Sequence, residues 1–178
     1  GIRVRPVDMK HLEAEVMTIV ELSNEAISDN WGYYPVTMDE ARAMARDLKQ
    51  IVNPKVLLIA EDPQGKPVGF GLSLPDINTL LMGLHGRLFP FGWLKMLMGL
   101  KKIRQYRMWA LGVIPEYQGK GIDTLLYRAT YEAVKDDGAC MEINYVLENN
   151  SRMNNALLKL GVQPIRRYRV YEMKIREN

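Results

Sequence analysis

The run Leu111-Gly112-Val113-Ile114-Pro115-Glu116-Tyr117-Gln118-Gly119-Lys120-Gly121-Ile122-Asp123-Thr124-Leu125-Leu126 decides how the rest of the chain is read. Apolar residues up to Ile114 suit a strand, and Pro115 ends it. Two glycines then make a turn, and Leu125 and Leu126 begin a helical apolar face. A helix that opens on such a turn leaves its first N–H groups without helical partners. The peptide dipoles add partial positive charge at the same place. A diphosphate is a natural ligand for that geometry. Gly119 and Gly121 carry no side chain to hold a phosphate off, and Lys120 adds a cation. The spacing is neither that of a P-loop nor the Gly-x-Gly-x-x-Gly of dinucleotide sites. An ordinary strand-to-helix turn is the alternative reading of the same residues.

Outward from this loop, the sequence predicts one α/β domain over 1–178. Residues 2–7 alternate as a first strand, and Asp8 is an N-cap for a helix over about 9–28. Thr37 with Glu40 forms a capping box that opens a second helix, stopped by Asn53-Pro54. Residues 56–60 and 68–74 make a hairpin around Asp62-Pro63-Gln64-Gly65-Lys66. An insertion at about 77–102, rich in Leu, Met, Phe and Trp, reads as two short amphipathic helices broken near Pro90. Strand 106–114, helix 121–137, strand 140–147, helix 151–160 and a long alternating strand over 164–175 complete the order. A hairpin followed by βαβ units implies a mixed sheet with helices on its faces.

Composition narrows the function. With 178 residues, 47% of them hydrophobic, the chain can bury a sizeable core without a staple. A net charge of +3 is too small to point to nucleic acid. The single cysteine, Cys140, cannot form an internal disulfide and fits a reducing compartment, so a cytoplasmic location is expected. His11 and His85 stand apart without zinc-ligand spacing, so no metal is expected. The start at Gly1 predicts a fragment of a longer protein or a removed tag. Charges and Pro90 interrupt the apolar insertion too often for a transmembrane span.

The segment Leu111-x-Val113-x-Pro115-x-x-Gln118-Gly119-Lys120-Gly121-Ile122 resembles motif A of the GNAT superfamily of N-acetyltransferases. The element order over nearly the whole chain is similar too. The resemblance implies a mixed, mostly antiparallel sheet with helices on both faces. It implies acetyl-CoA or another acyl-CoA as cofactor, its pyrophosphate held by the amides of Gln118, Gly119, Lys120, Gly121, Ile122, Asp123 and Thr124. Leu111 and Val113 would border the pantetheine arm in a splay between strands 106–114 and 140–147. Asn150 stands where the family often has a cofactor contact, although it also suits a helix N-cap. The implied reaction moves an acetyl or longer acyl group to a primary amine, on a small molecule or a peptide. Two positions depart from the pattern: Asp123 replaces the usual Gly or Ala, and Leu157 stands where many members have an acidic tyrosine. A non-catalytic acyl-CoA-binding or interaction module is the rival expectation.

Glu142 and Tyr145 are the catalytic candidates, as base and as a group near the thioester. Glu61 and Asp76 are further candidate bases, since a base must sit in the cleft, poised near neutrality. Trp31, Tyr33 and Tyr34 form an aromatic loop that either borders the acceptor or simply packs. The 77–102 insertion could cover an edge, wall a cavity, or present a homodimer, partner or membrane-surface contact.

Overall fold

The computed structural model describes residues 1–49 and 51–173. Among the described residues, five strands form one sheet in the order β1-β2-β3-β4-β5: Arg3–Pro6, Leu57–Glu61, Pro67–Pro75, Gln105–Val113 and Cys140–Ile143. The first three pairings are antiparallel and the β4–β5 pairing is parallel. The mixed, mostly antiparallel sheet expected from the sequence is therefore present. The α-helices are α1 (Leu12–Ala26), α2 (Met38–Leu48), α3 (Asn78–Leu81), α4 (Gly92–Leu100), α5 (Ile122–Val134) and α6 (Ser151–Lys159). The chain divides into two compact units, Gly1–Tyr145 and Val146–Asn178.

In the first unit, alternation along the strands assigns a helix to each face. A Cβ on Gly112 would meet Phe70 and Ala26, so that face carries α1. A Cβ on Gly69 or Gly71 would meet Ile122 or Leu126, so the opposite face carries α5. Phe70, Ile59, Ile114, Ile122 and Leu126 are fully buried between these layers. Arg5 fastens the edge, with Nε 2.6 Å from Glu61 and Nη1 2.9 Å from Glu15 of α1. The capping box forms as expected. The Thr37 hydroxyl accepts from the Glu40 amide at 3.4 Å, and the Glu40 carboxylate accepts from the Thr37 amide at 2.9 Å. That backbone hydrogen bond holds the Glu40 carboxyl below its ordinary range.

Two expectations need correction. Strand 140–147 ends at Ile143. The Asn144 amide still reaches the Met108 carbonyl at 3.2 Å, but Tyr145 has φ +51° and cannot continue a ladder. Residues 163–173 carry no regular secondary structure, and 174 and 175 lie outside the described residues. An alternating strand needs a neighbour to pair with, whereas Ile165, Val170 and Tyr171 stand exposed. Cys140, the single cysteine, is exposed. The insertion does form helices on both sides of Pro90.

Candidate active site

The loop after β4 is anchored from below and open above. Ile122 and Leu126 are fully buried and fix the start of α5. Gly119 and Gly121 have φ +76° and +78°, a left-handed conformation that favours glycine. Among the described residues, nothing beyond each glycine's own chain neighbours lies within 4 Å of where its Cβ would project, so the space over the loop is open. Gly121 is the N-cap of α5, and no side chain caps it. Among the described residues, nothing accepts from the amides of Gly119, Lys120, Gly121, Ile122 or Asp123. The other two amides expected to bind are engaged. Gln118 donates its N–H to Pro115 at 3.2 Å, and Thr124 donates to its neighbour's Asp123 Oδ1 at 2.9 Å. The Gln118 side chain also turns inward, with Nε2 donating to the Val113 carbonyl at 3.0 Å. A diphosphate fits the remaining cradle, which offers donors, a helix start and room.

Beneath the loop lies a support that the sequence reading passed over. The Tyr117 hydroxyl donates to Asp62 Oδ2 at 2.9 Å, and Lys120 Nζ stands 4.3 Å above the Tyr117 ring. Asp62 Oδ1 accepts from the amides of Gln64 and Lys66, each at 2.9 Å. Burial opposes the Asp62 charge, yet the Lys66 amide, the Tyr117 hydroxyl and the Gln64 amide outweigh it and hold the carboxyl below its usual range. The hydrogen bond to Asp62 pushes the Tyr117 phenol up. Turn chemistry at Asp62 was visible in the sequence. Its partner, far along the chain, was not.

The strand leading into the loop has an open edge. The Ile114 amide donates to Val68 at 3.1 Å, so Gly112 and Ile114 address β3 while Leu111 and Val113 address the other side. Pairing with β5 stops at Met108. Among the described residues, Leu111 and Val113 therefore face an edge without a strand partner. A bulge interrupts the β3–β4 ladder near the same point. Leu72 pairs Ala110 and Ser73 pairs Met108, which leaves Trp109 as the extra residue. Tyr145 stands where β5 leaves this edge, 76% exposed. Tyr127, on α5, keeps a buried hydroxyl without a partner among the described residues. Burial first, and then the Asp123 charge, push its pKa up to about 12.

The expected bases are all held by arginine. Glu61 pairs with Arg5 at 2.6 Å, Asp76 with Arg107 at 3.2 Å, and Glu142 with Arg107 at 3.5 Å. Glu142 lies opposite Arg107, six residues from Val113, or about 20 Å along the strand. In the aromatic loop, the Tyr33 hydroxyl bonds Asn24 and Ser23 of α1, while Trp31 and Tyr34 are exposed. The loop leaves α1 at Ala26, which lies against Gly112, so it starts beside the C-terminal end of β4. In the second unit, Asn150 caps α6 by accepting from the Met153 amide at 3.1 Å, and Leu157 is buried. Among the described residues no group of side chains could hold a metal ion, and no helix is long and apolar enough to cross a membrane.

A mostly antiparallel sheet, a helix on each face and an amide-lined loop between β4 and α5 define the class, an α/β domain of the N-acetyltransferase type. The family described as "Acetyltransferase (GNAT) family" matches residues 18–162, running from the first unit into the second, and the chain belongs to it. The chain is 35% identical to Protein YghO of Escherichia coli (strain K12) across 98% of its length. It is 34% identical to the bacterial ceramide synthase of Caulobacter vibrioides (strain NA1000 / CB15N) across 97%. It spans 46% of each of those relatives, about half their length. Its fold resembles Salmonella typhimurium yncA, solved with its cofactor acetyl-CoA. That match has a TM-score of 0.60 and 19% identity, covering 90% of this chain and 79% of yncA.

Proposed function

We propose that the chain is an acyl-CoA-dependent N-acyltransferase acting on a primary amine. The observation that carries this reading is the row of amides without acceptors from Gly119 to Asp123, set beside the open edge at Leu111 and Val113. The cofactor, when bound, supplies an activated acyl group. Gly119, Lys120, Gly121, Ile122 and Asp123 hold its diphosphate through their N–H groups. Leu111, and Val113 through its N–H since its carbonyl already accepts from Gln118, offer strand-like backbone partners to the amides of its pantetheine arm. Their N–H groups are also the donors placed to meet negative charge developing on the acyl oxygen. Holding both reactants along one edge supplies much of the rate. Tyr145, at the mouth of that edge, serves as the proton donor where Leu157 cannot. Trp31 and Tyr34 present exposed rings for the apolar part of an acceptor.

Glu142 is read as the structural partner of Arg107 rather than the base, since that ion pair holds it far from Val113. The amine then reacts in its neutral form, drawn from solution. The expected signature is kcat/KM that climbs with pH toward the amine's own pKa, about 10 for an alkylamine. A flat profile from pH 7 upward would assign a base to the protein instead. The acceptor class favoured is a lipid-borne amine. A ceramide is a fatty amide of a long-chain amino alcohol, and one relative carries the name bacterial ceramide synthase.

A second reading has its own support. Asp123 places a carboxylate beside the cradle and takes the Thr124 amide, which suits a module that binds acyl-CoA without turning it over. Calorimetry with acetyl-CoA and a long-chain acyl-CoA, followed by thiol release on an amine panel, separates the two. Binding with release on one amine supports the enzyme. Binding without release supports the module. Absence of binding sinks both.

A further inference from the structure

The insertion between β3 and β4 leaves an apolar helix half covered. On α4, Gly92, Met96 and Gly99 turn inward, and a Cβ on Gly99 would collide with Leu80 Cδ2 at 2.6 Å. Trp93, Leu94, Leu97 and Met98 recur on the opposite side, one contiguous helix face, and all four are exposed. Phe89 and Phe91, at the bend before α4, are 80% and 76% exposed. The Trp93 indole N–H already donates to Pro90 at 2.9 Å, so its ring turns outward without an unmet donor. Apolar patches of this kind mark a docking site when they are contiguous.

Charge identifies the occupant. No Asp or Glu occurs between Asp76 and Glu116. Arg87, Lys95, Lys101, Lys102 and Arg104 border the apolar face and are exposed. Among the described residues none of these five meets a carboxylate, whereas Arg5, Arg42 and Arg107 elsewhere are each ion-paired. A second copy is a poor occupant. A two-fold contact lays the patch on itself and brings like charges together. Aromatic and aliphatic side chains bordered by cations that meet no carboxylate among the described residues match the boundary between acyl chains and anionic headgroups.

We propose that residues 81–104 form a docking surface for an anionic lipid bilayer. The helix lies in the interface plane, the apolar face of α4 and the Phe89–Phe91 bend enter the acyl region, and the cations meet phosphate headgroups. This surface is separate from the acyl-CoA cradle, and its test reads binding rather than turnover.

The experiment is flotation of the full chain with vesicles of phosphatidylcholine, with and without a minor share of phosphatidylglycerol, at low and high salt. The chain is expected to float with the anionic vesicles, to release at high salt, and to stay behind with phosphatidylcholine alone. Phe91→Ser with Leu97→Ser, and separately Lys95→Glu with Lys101→Glu and Lys102→Glu, are each expected to lower binding about tenfold or more while leaving the circular dichroism unchanged. A chain keeping Trp93 as its only tryptophan, through Trp31→Phe and Trp109→Phe, is expected to be quenched by brominated lipids. Failure of the wild-type chain to float, equal flotation of the charge-reversed chain, or an unquenched Trp93 overturns the proposal. So does a two-chain mass in light scattering that falls to one chain with Phe91→Ser, because the patch then belongs to a second copy.

Discussion

Asp123 and Gly121 push the cradle in opposite directions, and single substitutions separate them. The Asp123 carboxylate takes the Thr124 amide and sets a negative charge within the first turn of α5. Asp123→Ala frees that donor and removes the repulsion. Acetyl-CoA affinity is then expected to rise about threefold to tenfold, while the chain loses about 0.3–1 kcal/mol of helix stabilisation. Gly121→Asp does the reverse, with a Cβ at φ +78° and an anion facing the phosphates. Its affinity is expected to fall by about tenfold or more. Calorimetry on the two variants checks both signs, and equal affinities for all three chains remove the loop from the site. Asp62 acts one layer below. Its folded carboxyl titrates lower than in the unfolded chain, so its stabilisation is complete above the unfolded value of about 3.9 and disappears as pH falls through the folded one. Asp62→Asn is therefore expected to lower Tm near neutrality, and the gap to wild type should close in acid below about pH 4. A gap that stays constant with pH refutes a charge-based role.

At the scale of elements, what could be read from the sequence was what depends on neighbours in sequence. Thr37 and Glu40 announce α2 because a capping box needs only one turn of chain. Pro115 and the two glycines announce the break between β4 and α5 for the same reason. Strand 140–147 misled because its alternation does not reveal that the backbone turns left-handed at Tyr145. The bulge at Trp109 was equally hidden, since it arises from the register between two strands. The Tyr117–Asp62 bond lay out of reach because its partners are 55 positions apart. Gly112 shows how a close contact between elements constrains one residue. Its missing side chain leaves room for Phe70 and for Ala26 at the end of α1, where a Cβ would come within 2.6 and 3.0 Å. Gly112→Ala is expected to cost about 1–3 kcal/mol in urea denaturation, since both neighbours are packed and cannot yield freely. A cost near zero means that α1 can lift from the sheet.

For the whole chain, the acyltransferase reading joins two places, the open edge of β4 and the start of α5, which the Gln118 side chain already links through the Val113 carbonyl. Amide hydrogen exchange tests whether one ligand unites them. Among the described residues of the free chain, Leu111 and Val113 have no strand partner on their outward side, and Gly119, Ile122 and Asp123 have no acceptor, so all five are expected to exchange fast. Acetyl-CoA should slow all five together over one concentration range. Gln118 and Thr124 serve as internal controls, because Pro115 and Asp123 already accept from them and the ligand has little to add. Slowing confined to the loop means that a free phosphate site exists without the pantetheine groove. Slowing of the two controls as strongly as the five means that the chain merely stiffens on binding. Only the joint and selective pattern requires an extended, phosphate-bearing molecule lying along β4 with its anionic end at α5.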